Sequence, residues 1–326
     1  IPTGGKYGPV RVTNTGTQLM GQSAQPFLPT FANGSYIADT INMSAAVNFS
    51  GATPYAVVVA DIDGDGKPDV ATANLSNNNI SVYRNVASGG AINTGSLSAR
   101  VNFAVGAAPI AIEAGDLDND GKQDLVALCQ SGTKISVFRN MATSGSITTG
   151  SFAAKVDFTT TGGGEALAIA DVDGDGKPEI IVTNYSGSNV SVFRNTTTAG
   201  TITTASFTKV DIASSIRTVG VRMADVNGDN KPDMLVTNFT SNSISVFQNV
   251  STAGTIATSS FAARVDFAVG ANPMDIAVAD FDGDGIQDLI VSNSNANTIT
   301  VLRGATGTGT INTSSFATAV NITSQY

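Results

Sequence analysis

The sequence predicts an all-β protein, a β-propeller of about six blades, each of them a four-stranded antiparallel sheet. Three observations carry this prediction. The first two are that an acidic nonapeptide recurs five times at a nearly constant spacing and that four short strand-like segments accompany each copy. The third is an alternation of larger apolar residues with Ala or Gly along the first segment of each unit. No helical period of 3.6 residues is sustained, which excludes a helical repeat.

The acidic repeat sets the length of the structural unit. The run Asp61–Asp69 (DIDGDGKPD) is followed by copies that begin at Asp116, Asp171, Asp225 and Asp280, at spacings of 55, 55, 54 and 55 residues. One residue is missing from the third unit after Phe207, and the rest of the unit keeps its phase. Units of roughly 40–55 residues with four strands are typical of propeller blades.

The strand-like segments are short, rich in β-branched residues and bounded by Gly, Asn and Ser. In the first unit we predict strands at Tyr55–Ala60, Val70–Ala73, Ile80–Tyr83 and Ala99–Phe103. The first strand carries Val57 and Val59 on one face and small residues on the other, as do its equivalents. Because blades crowd together at the hub, small residues are expected on a packed face of the innermost strand.

The first 50 residues leave two interpretations open. The segment 31–49 matches the linker and fourth strand of the repeats, so residues 1–50 are either a partial sixth blade or the tail of a preceding domain. Ile1–Gly5 and Gln25–Phe27 faintly resemble the closing strands of a TIG-type immunoglobulin-like domain. We assign residues 51–326 to the propeller with five loop repeats. The start at Ile1, without Met or an apolar leader, suggests a processed or excised piece.

The acidic loop has the composition of a calcium site. Carboxylates stand at positions 1, 3, 5 and 9, glycines at 4 and 6 permit a tight turn, and position 7 would offer its backbone carbonyl. Hard oxygen ligands in this number suit Ca²⁺, and about five ions per chain are expected. The predicted metal ligands are Asp61, Asp63, Asp65, Lys67, Asp69, Asp116, Asp118, Asp120, Lys122, Asp124, Asp171, Asp173, Asp175, Lys177, Glu179, Asp225, Asn227, Asp229, Lys231, Asp233, Asp280, Asp282, Asp284, Ile286 and Asp288.

The variant positions follow the same chemistry. Glu179 keeps a carboxylate at position 9, and Asn227 keeps an oxygen at position 3. Asn119 and Asn230 replace Gly at positions 4 and 6, where Asn tolerates left-handed backbone best. Of 26 acidic residues in the chain, 19 lie at ligand positions, and five Ca²⁺ would change the net charge of −9 to about +1. The alternative is an acidic turn without metal.

On these five loops the chain resembles the FG-GAP or VCBS-repeat family, which includes integrin-type propellers. The resemblance covers about residues 50–322. It implies a propeller with Ca²⁺ between the first and second strands of each blade, in a secreted or cell-surface protein. It does not specify a ligand or an activity, because function resides in sites and not in the fold.

Composition excludes several kinds of chemistry and partner. The chain has no histidine and one cysteine, so His-dependent catalysis, His-ligated metals, intramolecular disulfides and thiolate clusters are excluded. Cys129 is interpreted as a small buried residue. The acidic charge disfavours nucleic acid. No apolar run of 18 residues is present, so membrane insertion is not expected.

Three functions remain open at this point. The first is a non-catalytic extracellular adhesion or ligand-binding module with a protein or glycan ligand. The second is a structural subunit of a cell-surface assembly or filament, in which a strand from a neighbour completes the partial blade. The third is a carbohydrate-active enzyme, although few carboxylates lie outside the loops.

Three further features have both a functional and a structural interpretation. Glu113, Arg222 and Asp275 interrupt the small-residue face and either line a ligand site or are solvated, compensating charges. The Tyr83-Arg84-Asn85 run and its equivalents are interpreted as structural, with the aromatic residue in the core and the Arg at the surface. Asn-x-Ser/Thr triplets at Asn33, Asn74 and Asn184 are expected by chance in this composition.

Overall fold

We describe a computed structural model, which covers residues 9–13, 20–26, 46–49, 53–89, 92–305, 307 and 309–323. The chain divides into two compact units, Ile1–Ala46 and Val47–Tyr326. In the first unit the backbone of a hairpin is described, in which β1 (Pro9–Thr13) pairs antiparallel with β2 (Met20–Pro26). Most of the predicted partial blade, and the triplet at Asn33, lie outside the described residues.

The second unit consists of five four-stranded antiparallel sheets, each a meander of consecutive strands, and these are the blades of the predicted propeller. Blade 1 contains β3 (Pro54–Ala60), β4 (Asp69–Asn74), β5 (Asn79–Tyr83) and β6 (Val101–Ala104). Blade 2 contains β7 (Pro109–Gly115), β8 (Asp124–Cys129), β9 (Lys134–Phe138) and β10 (Val156–Thr159). Blade 3 contains β11 (Gly164–Ala170), β12 (Glu179–Asn184), β13 (Asn189–Asn195) and β14 (Phe207–Ala213). Blade 4 contains β15 (Thr218–Ala224), β16 (Asp233–Asn238), β17 (Ser243–Phe247) and β18 (Val265–Ala268). Blade 5 contains β19 (Pro273–Ala279), β20 (Asp288–Asn293), β21 (Thr298–Leu302) and β22 (Val320–Thr323).

The predicted strands are confirmed, and their ends differ by one or two residues. In blade 1 the fourth strand begins at Val101 and not at Ala99. The one helical segment among the described residues is a 3₁₀ turn at Thr258–Ser260. No helix in the described part of the chain is long and apolar enough to cross a membrane.

The core lies between consecutive blades. Each hydrophobic cluster combines one face of a blade with the facing side of the next blade, so Ile80 and Val82 of blade 1 share a cluster with Ile112 and Leu125 of blade 2. The second and third strands of blades 1 to 4 are consequently buried on both faces, and every residue of β8 is buried. This arrangement explains why these strands have continuous apolar runs and not an alternating pattern.

Small residues occur where neighbouring first strands approach one another. A Cβ atom placed on Gly115 would lie 3.2 Å from Cγ2 of Ile169 in the next blade. A Cβ atom on Gly220 would lie 2.6 Å from the carbonyl oxygen of Met274. The predicted small-residue face is therefore the face that packs against the following blade.

The two end blades expose apolar faces that the inner blades bury. In blade 1 the side of β3 that carries Val57 is open, and Val57 is 61% exposed whereas the equivalent Val221 of blade 4 is 2% exposed. In blade 5 the opposite face is open, and Phe281 is 68% exposed whereas the equivalent Ile62 is 2% exposed. Among the described residues, no blade covers either face.

Candidate metal centres

The five acidic segments form the turns between the first and second strands of the blades. We number them loop 1 to loop 5, starting at Asp61, Asp116, Asp171, Asp225 and Asp280. The tight turn needs left-handed backbone at positions 4 and 6, where Gly64 and Gly66 have φ of 69° and 85°. Asn119 and Asn230 have φ of 54° and 63° at these positions, as predicted from their tolerance of this conformation.

Backbone amides of the loop hold the carboxylate of position 1. In loop 1, Oδ1 of Asp61 accepts from the amide of Asp65 at 3.1 Å, and Oδ2 accepts from the amide of Gly66 at 2.9 Å. The carboxylate of Asp63 also accepts from the amide of Asp65, at 3.1 Å. The turn thus directs successive amides inward, and its carboxylates with them.

The carboxylate of position 9 joins the loop to the end of the third strand. Oδ2 of Asp69 accepts from the amides of Ile62 and Asp63 at 3.0 and 3.2 Å, and Oδ1 accepts from the amide of Asn85 at 2.7 Å. The same two-sided bridge recurs at Asp124, Glu179, Asp233 and Asp288. The side chain of position 9 is therefore both a candidate ligand and a structural link, a second role that was not predicted.

The carboxylates of positions 1, 3 and 9 converge in four of the five loops. One ligand oxygen from each lies within 4.8 Å of the other two in the groups Asp61–Asp63–Asp69, Asp116–Asp118–Asp124, Asp171–Asp173–Glu179 and Asp280–Asp282–Asp288. Position 5 is not part of these groups. Its Oδ1 accepts from the amide of position 7, as in the 3.0 Å contact between Asp65 and Lys67. Loop 4 has the amide Asn227 at position 3, so it offers one carboxylate fewer.

Burial changes the ionisation of the position-9 carboxylates. Removal from water raises the pKa of Asp124 and of Glu179 to about 7, and the pKa of Asp233 to about 6. The negative charges of Asp118 and Asp120 add to the effect at Asp124, while backbone hydrogen bonds oppose it. A bound cation would remove this penalty, because it favours the charged carboxylate.

The arginine after the third strand contacts the loop, which corrects its assignment to the surface alone. Arg84 donates from Nε to Oδ2 of Asp63 at 2.6 Å and from Nη2 to Oδ2 of Asp65 at 2.8 Å. Its side chain is 26% exposed and that of Asp63 is fully shielded. Arg139 and Arg303 make the same two contacts in their blades. The Arg is thus a counter-ion of positions 3 and 5, and the aromatic residue before it is buried as predicted.

The asparagine that follows this arginine connects neighbouring blades. Nδ2 of Asn140 donates to the carbonyl of Ile62, at position 2 of the preceding loop, at 2.7 Å, and to the carbonyl of Gln123 at 2.8 Å. Asn195 and Asn249 make the equivalent contacts to the loops that precede them. The Asn of the repeated motif therefore holds loops 1, 2 and 3 against the next blade.

Position 7 also contributes a side chain, where the sequence suggested a backbone carbonyl alone. Nζ of Lys122 donates to the carbonyl of Ala142 at 3.0 Å, and Lys177 and Lys231 donate to carbonyls 20 residues further along the chain. Ile286 of loop 5 has no such donor. These lysines contact the backbone of their own blade and not the loop carboxylates.

A row of buried, hydrogen-bonded polar side chains, called the ladder below, crosses each blade. The single cysteine lies in this row. In blade 3, Nδ2 of Asn184 donates to Oγ of Ser191 at 2.9 Å, which donates to Asp211 at 2.6 Å. Cys129 occupies the Asn position of blade 2, is fully buried, and lies 4.0 Å from Oγ of Ser136. Asn74 and Asn184 are buried ladder residues, so neither triplet offers an accessible amide for glycosylation in the folded chain.

The charges near the hub pair with each other across neighbouring blades. Arg222 donates to Oδ2 of Asp275 at 3.0 Å and to the carbonyl of Ile276 at 2.9 Å. Burial raises the pKa of Glu113, and the positive charge of Arg222 opposes that rise. The compensating-charge interpretation therefore holds for Arg222 and Asp275.

Comparison with known proteins places the chain in a family. The FG-GAP-like repeat model matches residues 61–127, 116–182, 171–236 and 225–291, and the FG-GAP repeat model matches residues 272–311. The chain therefore belongs to the FG-GAP repeat family of β-propellers. No curated protein matches the sequence.

Solved structures share the fold at low sequence identity. BBS1N in its complex with ARL6DN matches with a TM-score of 0.51 and 12% identity, over 84% of this chain and 70% of that chain. A functionally unknown protein from Desulfotomaculum acetoxidans DSM 771 matches with a TM-score of 0.51 and 14% identity, over 81% and 68%. A chain of the humanized mutant Polycomb Repressive Complex 2 of Chaetomium thermophilum matches with a TM-score of 0.52 and 11% identity, over 80% and 52%. These likenesses concern the fold alone.

The residues present fit the divalent cation that the family implies. The donor set consists of oxygens, as Ca²⁺ requires. In loop 3, Oδ2 of Asp173 is buried and has no hydrogen-bond partner, and neither has Nε of Arg194. The nearest cation is Nε of Arg194, at 3.7 Å. This Oδ2 is the oxygen that the arginine contacts in loops 1, 2 and 5, so the fit to a cation rests on the convergence of Asp171, Asp173 and Glu179.

Proposed function

We propose that this chain is a non-catalytic extracellular module whose blades are stabilised by bound Ca²⁺, with up to five ions per chain. The observation that carries the proposal is the convergence of three carboxylates within 4.8 Å in four loops. Like charges this close repel one another strongly unless a cation compensates them. Extracellular modules bind Ca²⁺ at roughly 10⁻⁴–10⁻³ M, concentrations that are met outside cells.

The function of such a module would be adhesion or ligand binding through the loops that join the strands. Support comes from the distribution of charged side chains, because 19 of the 26 acidic residues lie at ligand positions of the loops and are not free for general acid–base catalysis. At the hub, Arg222 and Asp275 compensate each other. We propose a protein or glycan ligand and not nucleic acid, because the net charge of −9 would repel the phosphate backbone. A carbohydrate-active enzyme remains the alternative.

Thermal unfolding with and without Ca²⁺ tests this proposal. We expect the Tm in 2–5 mM Ca²⁺ to exceed the Tm in excess EGTA by roughly 10 °C or more, since binding to the folded state alone shifts stability by mass action. Elemental analysis of dialysed protein should give about four or five Ca²⁺ per chain. An unchanged Tm together with no bound metal would contradict the cation function.

A second candidate is a structural subunit of an extracellular assembly. The observation that favours it is the pair of exposed apolar faces on blades 1 and 5, which include Val57 and Phe281. All five described blades contain four strands, so strand complementation has no open position in this part of the chain. Light scattering of the purified chain separates the two candidates, because a monomer at micromolar concentration contradicts the assembly.

A further inference from the structure

We infer that the residue after each third strand is a positioning residue matched to position 3 of its own loop, so that these two side chains together carry no net charge in any blade. The inference rests on the proposed cation function. It concerns two matched pairs, Asp with Arg in blades 1, 2, 3 and 5, and Asn with Gln in blade 4.

In blades 1, 2 and 5 the charged pair is a two-pronged contact, and in blade 3 a single ion pair of 3.7 Å joins Arg194 to Asp173. Nε of Arg139 lies 2.7 Å from Oδ2 of Asp118, and Nη2 lies 2.9 Å from Oδ2 of Asp120. The side chain of Asp118 is fully shielded, and that of Arg139 is 24% exposed. A planar guanidinium binds two carboxylates at fixed geometry, which an ammonium cannot do. The Arg therefore takes one oxygen of position 3 and one of position 5, and leaves the other oxygens directed into the loop.

In blade 4 the amide of Asn227, and not Gln248, makes the contact to position 5. Nδ2 of Asn227 donates to Oδ2 of Asp229 at 3.2 Å, which is the position-5 oxygen that an Arg takes in blades 1, 2 and 5. The same amide donates to the carbonyl of Gly309 at 2.9 Å. Oε1 of Gln248 accepts from the amide of Ile311 at 3.2 Å. The substitution at position 3 thus supplies the donor that is lost with the Arg.

The loop carboxylates and the residue after the third strand sum to the same charge in all five blades. Four carboxylates and one guanidinium leave three net negative charges in loops 1, 2, 3 and 5, and three carboxylates with a neutral Gln leave three in loop 4. An Asp at position 3 with a Gln after the third strand would bury an uncompensated carboxylate, and an Asn with an Arg would leave the guanidinium without its main partner. Breaking one half of a buried pair is far more destabilising than replacing both halves.

Loop 2 provides the test, because blade 4 already has the residues of its double variant, Asn at position 3 and Gln after the third strand. The variants are Arg139→Gln, Asp118→Asn and Arg139→Gln/Asp118→Asn, with Lys155→Gln as a control that removes the cation beside Asp157, outside the loops. Without divalent ions we expect Arg139→Gln to lower the Tm by ~5 °C or more, and the double variant to recover at least half of that loss. The control should lower it by ~2 °C or less.

The response to Ca²⁺ separates a charge-setting role from a merely structural one. The increase in Tm from EGTA to 5 mM Ca²⁺ should be larger than wild type in Arg139→Gln, smaller in Asp118→Asn, and equal to wild type in the double variant. The reciprocal pair, Asn227→Asp with Gln248→Arg, provides a second test if a loop 2 single variant fails to fold. The reciprocal double variant should again match wild type, and Asn227→Asp alone should not.

Two results would overturn the inference: Tm losses that simply add in both double variants, or equal Ca²⁺ responses in all single variants. A wild-type chain that does not respond to Ca²⁺ would contradict the proposed cation function instead. In that case the recovery of the Tm by the double variants without divalent ions would still test whether the two residues are paired. Failure of the inference and failure of the proposed cation function are therefore distinguishable.

Discussion

At the scale of single residues, two opposing effects act on the position-9 carboxylate: hydrogen bonds favour its charged form, and burial disfavours it. It accepts backbone amides from the loop and from the end of the third strand, and it is buried beside other carboxylates. Burial raises the pKa of Asp124 and Glu179 to about 7. The metal-free protein therefore carries a penalty for ionising these groups at neutral pH, and a cation removes it.

This penalty predicts the pH dependence of stability. A carboxyl whose pKa is raised in the folded state from near 4 to about 7 contributes stability that is present at pH 4 and is lost as the pH rises through 7. Without divalent ions, the free energy of unfolding should fall between pH 5 and pH 8, by up to ~1.4 kcal/mol per pH unit for each such group. In 5 mM Ca²⁺ this decrease should be absent. Urea unfolding at each pH measures both curves.

Asp157 provides a control for that experiment. Burial alone would raise its pKa, but hydrogen bonds from Lys155, Ser136 and Lys134 outweigh burial and hold the pKa at about 2. Its contribution is present above pH 4 and is lost as the pH falls through 2. Asp157→Asn should leave the slope between pH 5 and pH 8 unchanged. A metal-free protein with a flat curve in that range would contradict the assignment to position 9.

Residue-scale predictions from sequence succeeded where the requirement is local. Asn119 and Asn230 were assigned to left-handed positions from the turn alone, and both adopt positive φ. The contact of Arg84 with Asp63 was not predicted, because the two residues are 21 positions apart and meet when the third strand pairs with the second. Covariation inside the chain carried a signal, since Asn227 and Gln248 change together in one repeat.

At the scale of strands and blades, the asparagine after the third strand links consecutive sheets. Asn140 has two carbonyl acceptors, one in its own blade and one in loop 1. Asn85 makes the contact within its own blade, to the carbonyl of Pro68 at 2.9 Å, and no contact to a preceding loop is described for it. Asn140 and Asn85 are therefore equivalent asparagines of which the first makes the bond between blades and the second is described without it.

Alanine substitutions at these two residues should measure that bond. Asn140→Ala removes donors from two buried carbonyls and should lower the free energy of unfolding by ~2–4 kcal/mol. Asn85→Ala removes the more exposed contact and should lower it by ~1 kcal/mol. Urea unfolding in Ca²⁺ gives both values. Equal losses would show that the contact between blades contributes nothing beyond the contact within the blade.

Blade 5 departs from this pattern in a consistent way. Gly304 stands where the other blades have the Asn, and a Cβ atom on it would lie 2.5 Å from Cγ2 of Ile286. Ile286 stands where the other loops have a Lys. The two changes are linked by packing, because the larger apolar side chain needs the space that Gly leaves. The five blades with acidic loops could be predicted from the repeat, but this exchange required the contact between the two residues.

At the scale of the whole molecule, the same residue type occupies equivalent positions with opposite environments. Val57 in blade 1 is 61% exposed, and Val221 in blade 4 is 2% exposed between neighbouring sheets. The sequence predicted that both belong to the larger apolar face of a first strand. It could not predict which of them is covered, because that depends on whether a blade precedes it in space and not on its own repeat.

An Asp substitution at each valine tests the environment of the end blades. Val221→Asp would bury an unpaired charge, so we expect a loss of at least ~4 kcal/mol in the free energy of unfolding or no folded protein. Val57→Asp should change it by ~1 kcal/mol or less, because the side chain reaches water. Thermal unfolding and light scattering on both variants give the answer. A loss at Val57 as large as that at Val221 would mean that this face is covered in solution, and a simultaneous decrease in particle mass would identify the cover as another copy of the chain.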